Sequence, residues 1–212
     1  LFDPVWNATA DTIYYVSAEH QQGASKASKN LQLRSYNIRQ KRSSLLANNA
    51  TNPIVIPGSQ KLAYISLSGD LKKQSLQLLD PETRKVSQLI PAGKFAVIKK
   101  PVASVDGEWI YFAVPSVSQK PVPVHQHKIS WLDFFISTAR AHPRAKRLAY
   151  DWWRVNIKNG KAENLKIRDF ESRSVGIIDN TAFISIANHR GIFLLDTHNH
   201  EMKPYLNKKG VY

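Results

Sequence analysis

The feature that most constrains the fold is an internal repeat of about 48 residues. Three units open on a proline followed by a short strand-like run, at Pro4, Pro53 and Pro101, which lie 49 and 48 residues apart. After each opening come a polar turn and a second apolar run, of which Trp109–Phe112 is the clearest. A degenerate fourth unit starts at Ser174, 73 residues after the third, which predicts an insertion of about 25 residues in the third unit. A repeat of this length is one supersecondary unit that buries its faces by stacking on its neighbours.

Each unit also carries a second pair of strand-like runs, separated by turn formers such as Asp80–Thr83 and Asn159–Gly160. Four short strands in a unit of this length match the arithmetic of a β-propeller blade. A β-sandwich is the alternative, but sandwich strands need not echo one another every fourth strand. The sequence therefore predicts an all-β chain, a β-propeller of about four four-stranded blades or part of a larger propeller, with one helical insertion. We expect a single domain over residues 1–212, with repeats at about 1–50, 51–98, 99–170 and 171–207.

The third unit resembles a known family. Its run from Pro101 to Phe112, PVASVDGEWIYF, is similar to the repeat signature of TolB-like, WD-type β-propellers, although Val105 stands where that signature has a second proline. The residues also suit this role physically. Asp106-Gly107 favours a tight turn with positive φ, Pro101 is expected to begin a strand, and the aromatic residues of the run are expected in the core.

The resemblance implies a function of a general kind. It implies a non-enzymatic, extracytoplasmic module, located in the periplasm, that binds a protein partner or an anionic envelope component. A concrete version is the periplasmic sensor domain of a membrane-spanning, ToxR-like regulator of transcription with a winged-helix DNA-binding domain. The alternative is an accessory propeller of a serine hydrolase or peptidase. Because the chain begins at Leu1 without an initiator Met, we expect a processed chain or a fragment.

The insertion, residues 115–149, differs from a generic blade. A proline-rich stretch leads into a run in which Leu132, Phe135, Ile136 and Ala139 fall at helical spacing. The insertion holds six Lys/Arg and three His against one acid, Asp133. Such a basic, aromatic helix either folds back on the propeller or docks on a partner or membrane surface. The candidate partner-binding residues are Trp131, Phe134, Phe135, Arg140, Arg144, Lys146 and Arg147.

Metal sites and catalytic motifs are weakly indicated. His125 and His127 form an H-x-H pair that could ligate zinc, and His198 and His200 repeat the spacing, but solvated or core histidines are the more ordinary interpretation. The sequence lacks a nucleophile elbow, a phosphate-binding glycine loop and an H-E-x-x-H motif. We therefore expect no cofactor and no enzymatic activity on this chain.

The net charge of +14 first suggests nucleic acid as a partner. The charge is spread over the chain, however, with +8 in residues 1–100 and +6 in 101–212, and its runs are short. The sequence therefore does not predict nucleic acid as a partner of this domain. The absence of cysteine excludes disulfides, thiolate zinc sites and a thiol nucleophile. No stretch reaches the roughly 18 consecutive apolar residues of a membrane-spanning helix.

Overall fold

The computed structural model describes residues 2–19, 30–68, 73–116, 149–170, 174–177, 183–188 and 191–207. They form sixteen strands in four antiparallel sheets of four strands each, and the described part contains no helix. The strands are β1 (Phe2–Trp6), β2 (Thr12–Glu19), β3 (Asn30–Asn37), β4 (Arg42–Asn48), β5 (Ala50–Val55), β6 (Leu62–Leu67), β7 (Gln74–Leu79), β8 (Val86–Ile90), β9 (Lys99–Ala103), β10 (Trp109–Pro115), β11 (Ala149–Asn156), β12 (Ala162–Phe170), β13 (Ser174–Ile177), β14 (Phe183–Asn188), β15 (Gly191–Asp196) and β16 (Met202–Asn207).

Every sheet is made of four strands that follow one another in the chain: β1 to β4 form blade 1, β5 to β8 blade 2, β9 to β12 blade 3, and β13 to β16 blade 4. The prediction of an all-β propeller of about four four-stranded blades is confirmed. The predicted helix of the insertion lies outside the described residues. The segment that contains it joins β10 to β11, the second and third strands of blade 3.

Three hydrophobic cores lie between successive blades, and strict alternation along the central strands builds them. In β10, Ile110, Phe112 and Val114 pack on blade 2, while Tyr111 and Ala113 pack on blade 4. The third core joins blades 1 and 2. We call each contact between successive blades a joint. The prediction that the aromatic run is core holds for Tyr111 and Phe112, which are almost fully buried, whereas Trp109 is only half-buried.

The first strands of blades 1 to 3 share an irregularity that includes the repeat proline. Pro101 was expected to begin a strand. It lies instead in the middle of β9, where the pairing with β10 shifts between Tyr111 and Ala113. Pro4 and Pro53 occupy the matching shifts. A proline cannot donate to a sheet ladder, and a shift in register is a place where that donor is not needed. The residues before these prolines all have positive φ: Asp3 (48°), Asn52 (50°) and Lys100 (50°).

A second repeated feature is a hydrogen-bonded Asn or Asp that opens the turn between the third and fourth strands of every blade. Each turn opens on an Asn or Asp whose side chain accepts backbone N–H groups two or three residues later, at Asn37, Asp80, Asn156 and Asp196. The residue four positions later has positive φ, at Lys41 (52°), Arg84 (61°), Gly160 (69°) and His200 (60°). In blades 1 to 3 these turns lie at the same end as the turn between the first and second strands. We call this end the turn face.

Candidate functional site

The residues that sequence analysis proposed for partner binding cannot be placed. Trp131, Phe134, Phe135, Arg140, Arg144, Lys146 and Arg147 all lie outside the described residues, as do His125 and His127. The site that the described residues do form was not anticipated. It is a cleft of about 420 Å³ on the turn face, at the joint between blades 1 and 2. Its walls are Asn7, Thr9, Asp11, Thr12, Tyr14, Ser35, Asn37, Leu46, Gln60, Pro81, Glu82 and Arg84.

One wall is the turn between β1 and β2, which Asn7 organises. Its side-chain oxygen accepts the backbone N–H groups of Asp11 (3.1 Å) and Thr12 (3.0 Å), and its Nδ2 donates to Asp11 Oδ1 at 2.8 Å. Thr12 Oγ1 also donates to Asp11 Oδ1, at 3.0 Å. The hydrogen bonds from Asn7 and Thr12 lower the pKa of Asp11 below its ordinary value. The turn therefore presents an ionised carboxylate to the cleft.

The opposite wall is the turn between β7 and β8 of blade 2. Asp80 fixes it by accepting the backbone N–H groups of Glu82 and Thr83. Arg84 reaches back across the joint and donates from Nη1 to the Leu45 carbonyl of β4, at 2.5 Å. The ionisable groups of the cleft wall, apart from tyrosine, are thus two carboxylates, Asp11 and Glu82, and this one guanidinium.

Tyr14 forms the floor of the cleft. The residue is only 5% exposed, yet its hydroxyl makes no hydrogen bond to any of the described residues. Burial raises the pKa of Tyr14, and the negative charges of Asp11 and Glu82 raise it further. Both carboxylates therefore lie close enough to the hydroxyl to act on it. The Tyr14 hydroxyl is not among the buried polar atoms that lack a partner, so it reaches the open space of the cleft and is available to a ligand.

The same position is filled at the joint between blades 3 and 4. Tyr111 is paired across the sheet with Arg154, and Arg154 with Glu163, just as Tyr14 is paired with Ser35 and Ser35 with Ser44. The Arg154 guanidinium lies 3.8 Å from the centroid of the Trp109 ring and donates to Glu163 Oε2 at 2.8 and 3.1 Å.

His200 completes this second joint from blade 4. Its Nε2 lies 2.8 Å from Arg154 Nη1, and the Tyr111 hydroxyl donates to the carbonyl of Thr197 at 3.2 Å. Burial lowers the pKa of His200, and the adjacent Arg154 lowers it further. A neutral imidazole whose Nε2 accepts from a guanidinium is not arranged to bind zinc. His198, the other member of the pair, is instead exposed beside Asp196, and the described residues contain no cluster of three or more potential metal ligands.

The joint between blades 2 and 3 is closed by apolar packing. The corresponding row across blade 2 is Ala63, Leu78 and Ser87, and Leu78 belongs to the core shared with blade 3. Gly160 of blade 3 approaches so closely that a Cβ there would lie 3.3 Å from the Leu89 carbonyl oxygen. Of the three joints, only that between blades 1 and 2 therefore has a small polar residue, Ser35, at the third-strand position that Leu78 and Arg154 fill in the others.

Comparison with known proteins identifies the fold. No family model and no curated protein sequence matches the chain. Among solved structures, TolB from Acinetobacter baumannii superposes with a TM-score of 0.62 at 14% identity, over 94% of this chain and 42% of that one. An acylaminoacyl peptidase in complex with Z-Gly-Gly-Phe-chloromethyl ketone gives 0.63 at 12% identity, over 97% and 32%. The β-propeller domain of the Trilobed protease from Pyrococcus furiosus, described as having an open velcro topology, gives 0.58 at 12%, over 97% and 57%.

These superpositions confirm the resemblance to TolB-like propellers and to the propeller domains of peptidases at the level of fold. The chain spans about a third to somewhat more than half of the length of these structures. In the part of the chain that the structure describes, no helix is long and apolar enough to cross a membrane.

Sequence reasoning missed the cleft because it treated the repeats as copies of a fold and did not compare the copies position by position. Tyr14 and Tyr111 are visible as equivalent residues once their turns are aligned. The residues opposite them, Ser35 and Arg154, then differ in both size and charge. That difference was the available signal.

Proposed function

We propose that this chain is a non-catalytic binding module of the extracytoplasmic, TolB-like kind, and that it holds a protein partner in the cleft between blades 1 and 2. The observation that carries the proposal is the cleft itself, at a joint whose two counterparts are filled. It offers hydrogen-bonding groups, the Thr9 hydroxyl, the Asp11 carboxylate and the Tyr14 hydroxyl, on a face made of hydrogen-bonded turns. Concave polar sites on turns held by a rigid scaffold are typical binding positions.

The ionisable groups of the cleft suit binding better than catalysis. A general acid or base works best when its pKa lies near the operating pH. The pKa of Asp11 is instead lowered by hydrogen bonds, and the pKa of Tyr14 is raised by burial. Near neutral pH the first group therefore stays ionised and the second stays protonated, so neither is poised to transfer a proton.

The periplasmic location, the sensor role and the accessory role beside a peptidase remain finer versions of this proposal. The similarity to TolB supports a location in the bacterial envelope. The peptidase propellers share the same fold at comparable similarity, so the fold alone does not separate the sensor from the accessory domain. A protein partner held at the cleft is common to both.

Site-specific photocrosslinking tests the proposal. Gln60 and Glu108 occupy equivalent positions in the turns between the first and second strands of blades 2 and 3, and both are exposed. A benzoylphenylalanine at Gln60, on the cleft wall, is expected to crosslink a discrete partner in cells, whereas the same group at Glu108 is not. Ser35→Arg, introduced beside the Gln60 crosslinker, should fill the cleft and remove the adduct.

The outcome that would contradict the proposal is equal crosslinking from Gln60 and Glu108, or an adduct that survives Ser35→Arg in a folded protein. Circular dichroism of each variant establishes that the fold is retained. An adduct with a peptidase domain would identify the accessory role, and an adduct with an unrelated envelope protein the binding or sensor role.

A further inference from the structure

The joint between blades 3 and 4 indicates what kind of group can occupy the space next to the buried tyrosine. There the Arg154 guanidinium lies over the Trp109 ring beside the tyrosine, and the Arg154 side chain is 17% exposed and bonded to Glu163 on its own blade. The nearby Arg154 works against the rise in the pKa of Tyr111 that burial causes. This fold therefore accommodates a guanidinium next to a buried tyrosine when a carboxylate pairs with it.

The cleft between blades 1 and 2 shares the buried tyrosine with that joint but not the groups around the guanidinium, because Thr12, Ser44 and Arg84 stand where Trp109, Glu163 and His200 stand. Tyr14 takes the place of Tyr111, and its hydroxyl has no hydrogen-bond partner among the described residues. Asp11 and Glu82 line the cleft and supply the carboxylates, while Ser35 leaves the space that Arg154 fills on blade 3. The one cation of the wall, Arg84, is held at its edge by the Leu45 carbonyl.

We infer that the cleft receives the guanidinium of an arginine side chain from the partner, beside Tyr14 and between the carboxylates of Asp11 and Glu82, in the space that Ser35 leaves open. The inference rests on the proposed function, because the arginine belongs to the bound protein. A planar guanidinium offers five donors, and it can satisfy a hydroxyl and two carboxylates at once.

Because the whole chain is strongly positive, binding of a cationic peptide would report on acceptor groups in the cleft and not on the overall charge. A protein with a net charge of +14 repels cations at long range. A cationic peptide that binds it must therefore find a local group of acceptors, and at physiological salt the long-range repulsion is largely screened beyond about 8 Å. Nonspecific attraction would instead favour an acidic peptide.

The first test uses an internal probe and needs no partner. Ser35→Arg places a guanidinium over Tyr14 from within the chain, and Ser35→Glu and Ser35→Gln are matched controls of similar length. The urea midpoint is expected to stay at or above that of the parent chain for Arg, to fall slightly for Gln and to fall most for Glu. A variant with Glu that is as stable as the variant with Arg would overturn the inference.

The second test uses the tripeptide Gly-Arg-Gly as the probe, titrated into the 212-residue chain and followed by amide and Tyr14 ring NMR shifts. The neutral isostere Gly-citrulline-Gly and the acidic Gly-Glu-Gly are the controls. We expect Gly-Arg-Gly to shift Asp11, Thr12 and Tyr14 and to bind about tenfold more tightly than the citrulline peptide, as a charged hydrogen-bond pair implies. Asp11→Asn should remove most of that difference.

Equal binding of the arginine and citrulline peptides, or preferential binding of the glutamate peptide, would overturn the inference. The two proposals fail separately. If Gln60 gives a specific crosslink but the peptides show no preference for arginine, the proposal of a binding module is retained and the inference about a guanidinium is rejected. Absence of a crosslink removes the binding module, whatever the peptides do.

Discussion

The joint between blades 1 and 2 and the joint between blades 3 and 4 are built on the same backbone frame and differ in their side chains. Each has a buried tyrosine in its second strand and a left-handed residue in the facing turn. One row across the sheet reads Tyr14, Ser35 and Ser44, and the other reads Tyr111, Arg154 and Glu163. The first leaves an open cleft and the second an ion-paired contact. Repetition of the fold therefore fixes where a site can lie, and three or four side chains decide whether it is open.

The largest expected effect tests whether close approach of the backbones, rather than side-chain chemistry, determines how successive blades pack. A Cβ at Gly107 would lie 2.3 Å from the Pro57 carbonyl oxygen of the preceding blade, at φ +69°. Gly107→Ala should therefore lower the free energy of unfolding by about 3 kcal/mol, through a clash with backbone and a strained φ. Urea denaturation measures it.

Two positions serve as controls for Gly107. Gly58 has the same φ of +69° but nothing within 4 Å of its Cβ position, so Gly58→Ala should cost only about 1 kcal/mol. In blade 1 the position equivalent to Gly107 is Ala10, which is exposed and has φ 53°. If Gly107→Ala cost no more than Gly58→Ala, close contact between the blades would not be what requires glycine.

The second effect compares the two rows directly. Arg154→Ala removes the stacking on Trp109 and the contact with His200, and the guanidinium is largely buried. A loss of about 1–2 kcal/mol is expected from the cation–π contact and the packing of the side-chain stem. Ser35→Ala, at the same place in blade 1, should change stability by less than about 0.5 kcal/mol. Equal losses of stability from the two substitutions would show that Ser35 makes a stabilising contact and does not simply line an open cleft.

The third effect is a pH dependence confined to the joint between blades 3 and 4. His200 is faced by Arg154 from β11, by Glu163 from β12 and by Asp196 from β15. Its pKa is below the ordinary value of 6.5 because of burial and then Arg154, so just below pH 6.5 the unfolded chain binds more protons than the folded one. The free energy of unfolding should therefore fall as the pH drops from about 7.5 through this window.

Substitution isolates this contribution from those of the other histidines. His200→Asn retains a residue that tolerates positive φ and should flatten the fall in the urea midpoint between pH 7.5 and 5. His198→Asn, on an exposed side chain of the same turn, should leave the profile unchanged. A profile that is unchanged by His200→Asn would place the pH dependence elsewhere.

Much of the fold could be predicted from the sequence, because period and alternation are local signals. The spacing of Pro4, Pro53 and Pro101 predicted the blades, and the continuous apolar run Trp109–Phe112 predicted a buried central strand. Pro101 was misplaced within its strand because a shift in register depends on the partner strand. The cleft depends on which residues face each other across a joint, and no window along the chain contains both Tyr14 and Glu82.

The smallest effect would convert one joint into the other. Arg154→Ala should leave over Tyr111 a space like that over Tyr14, still flanked by Trp109 and Glu163. Gly-Arg-Gly added to this variant should then refill the space and shift the Trp109 indole N–H resonance, whereas the parent chain, with its own guanidinium in place, should show no shift there. At a peptide concentration equal to the dissociation constant, the stabilisation is only about 0.4 kcal/mol, or roughly 1 °C in melting temperature. The NMR signal is therefore the decisive measurement, and Gly-citrulline-Gly is its control. A shift of equal size in the parent chain would mean that the peptide binds near Trp109 without entering the Arg154 position, and the equivalence of the two joints would fail.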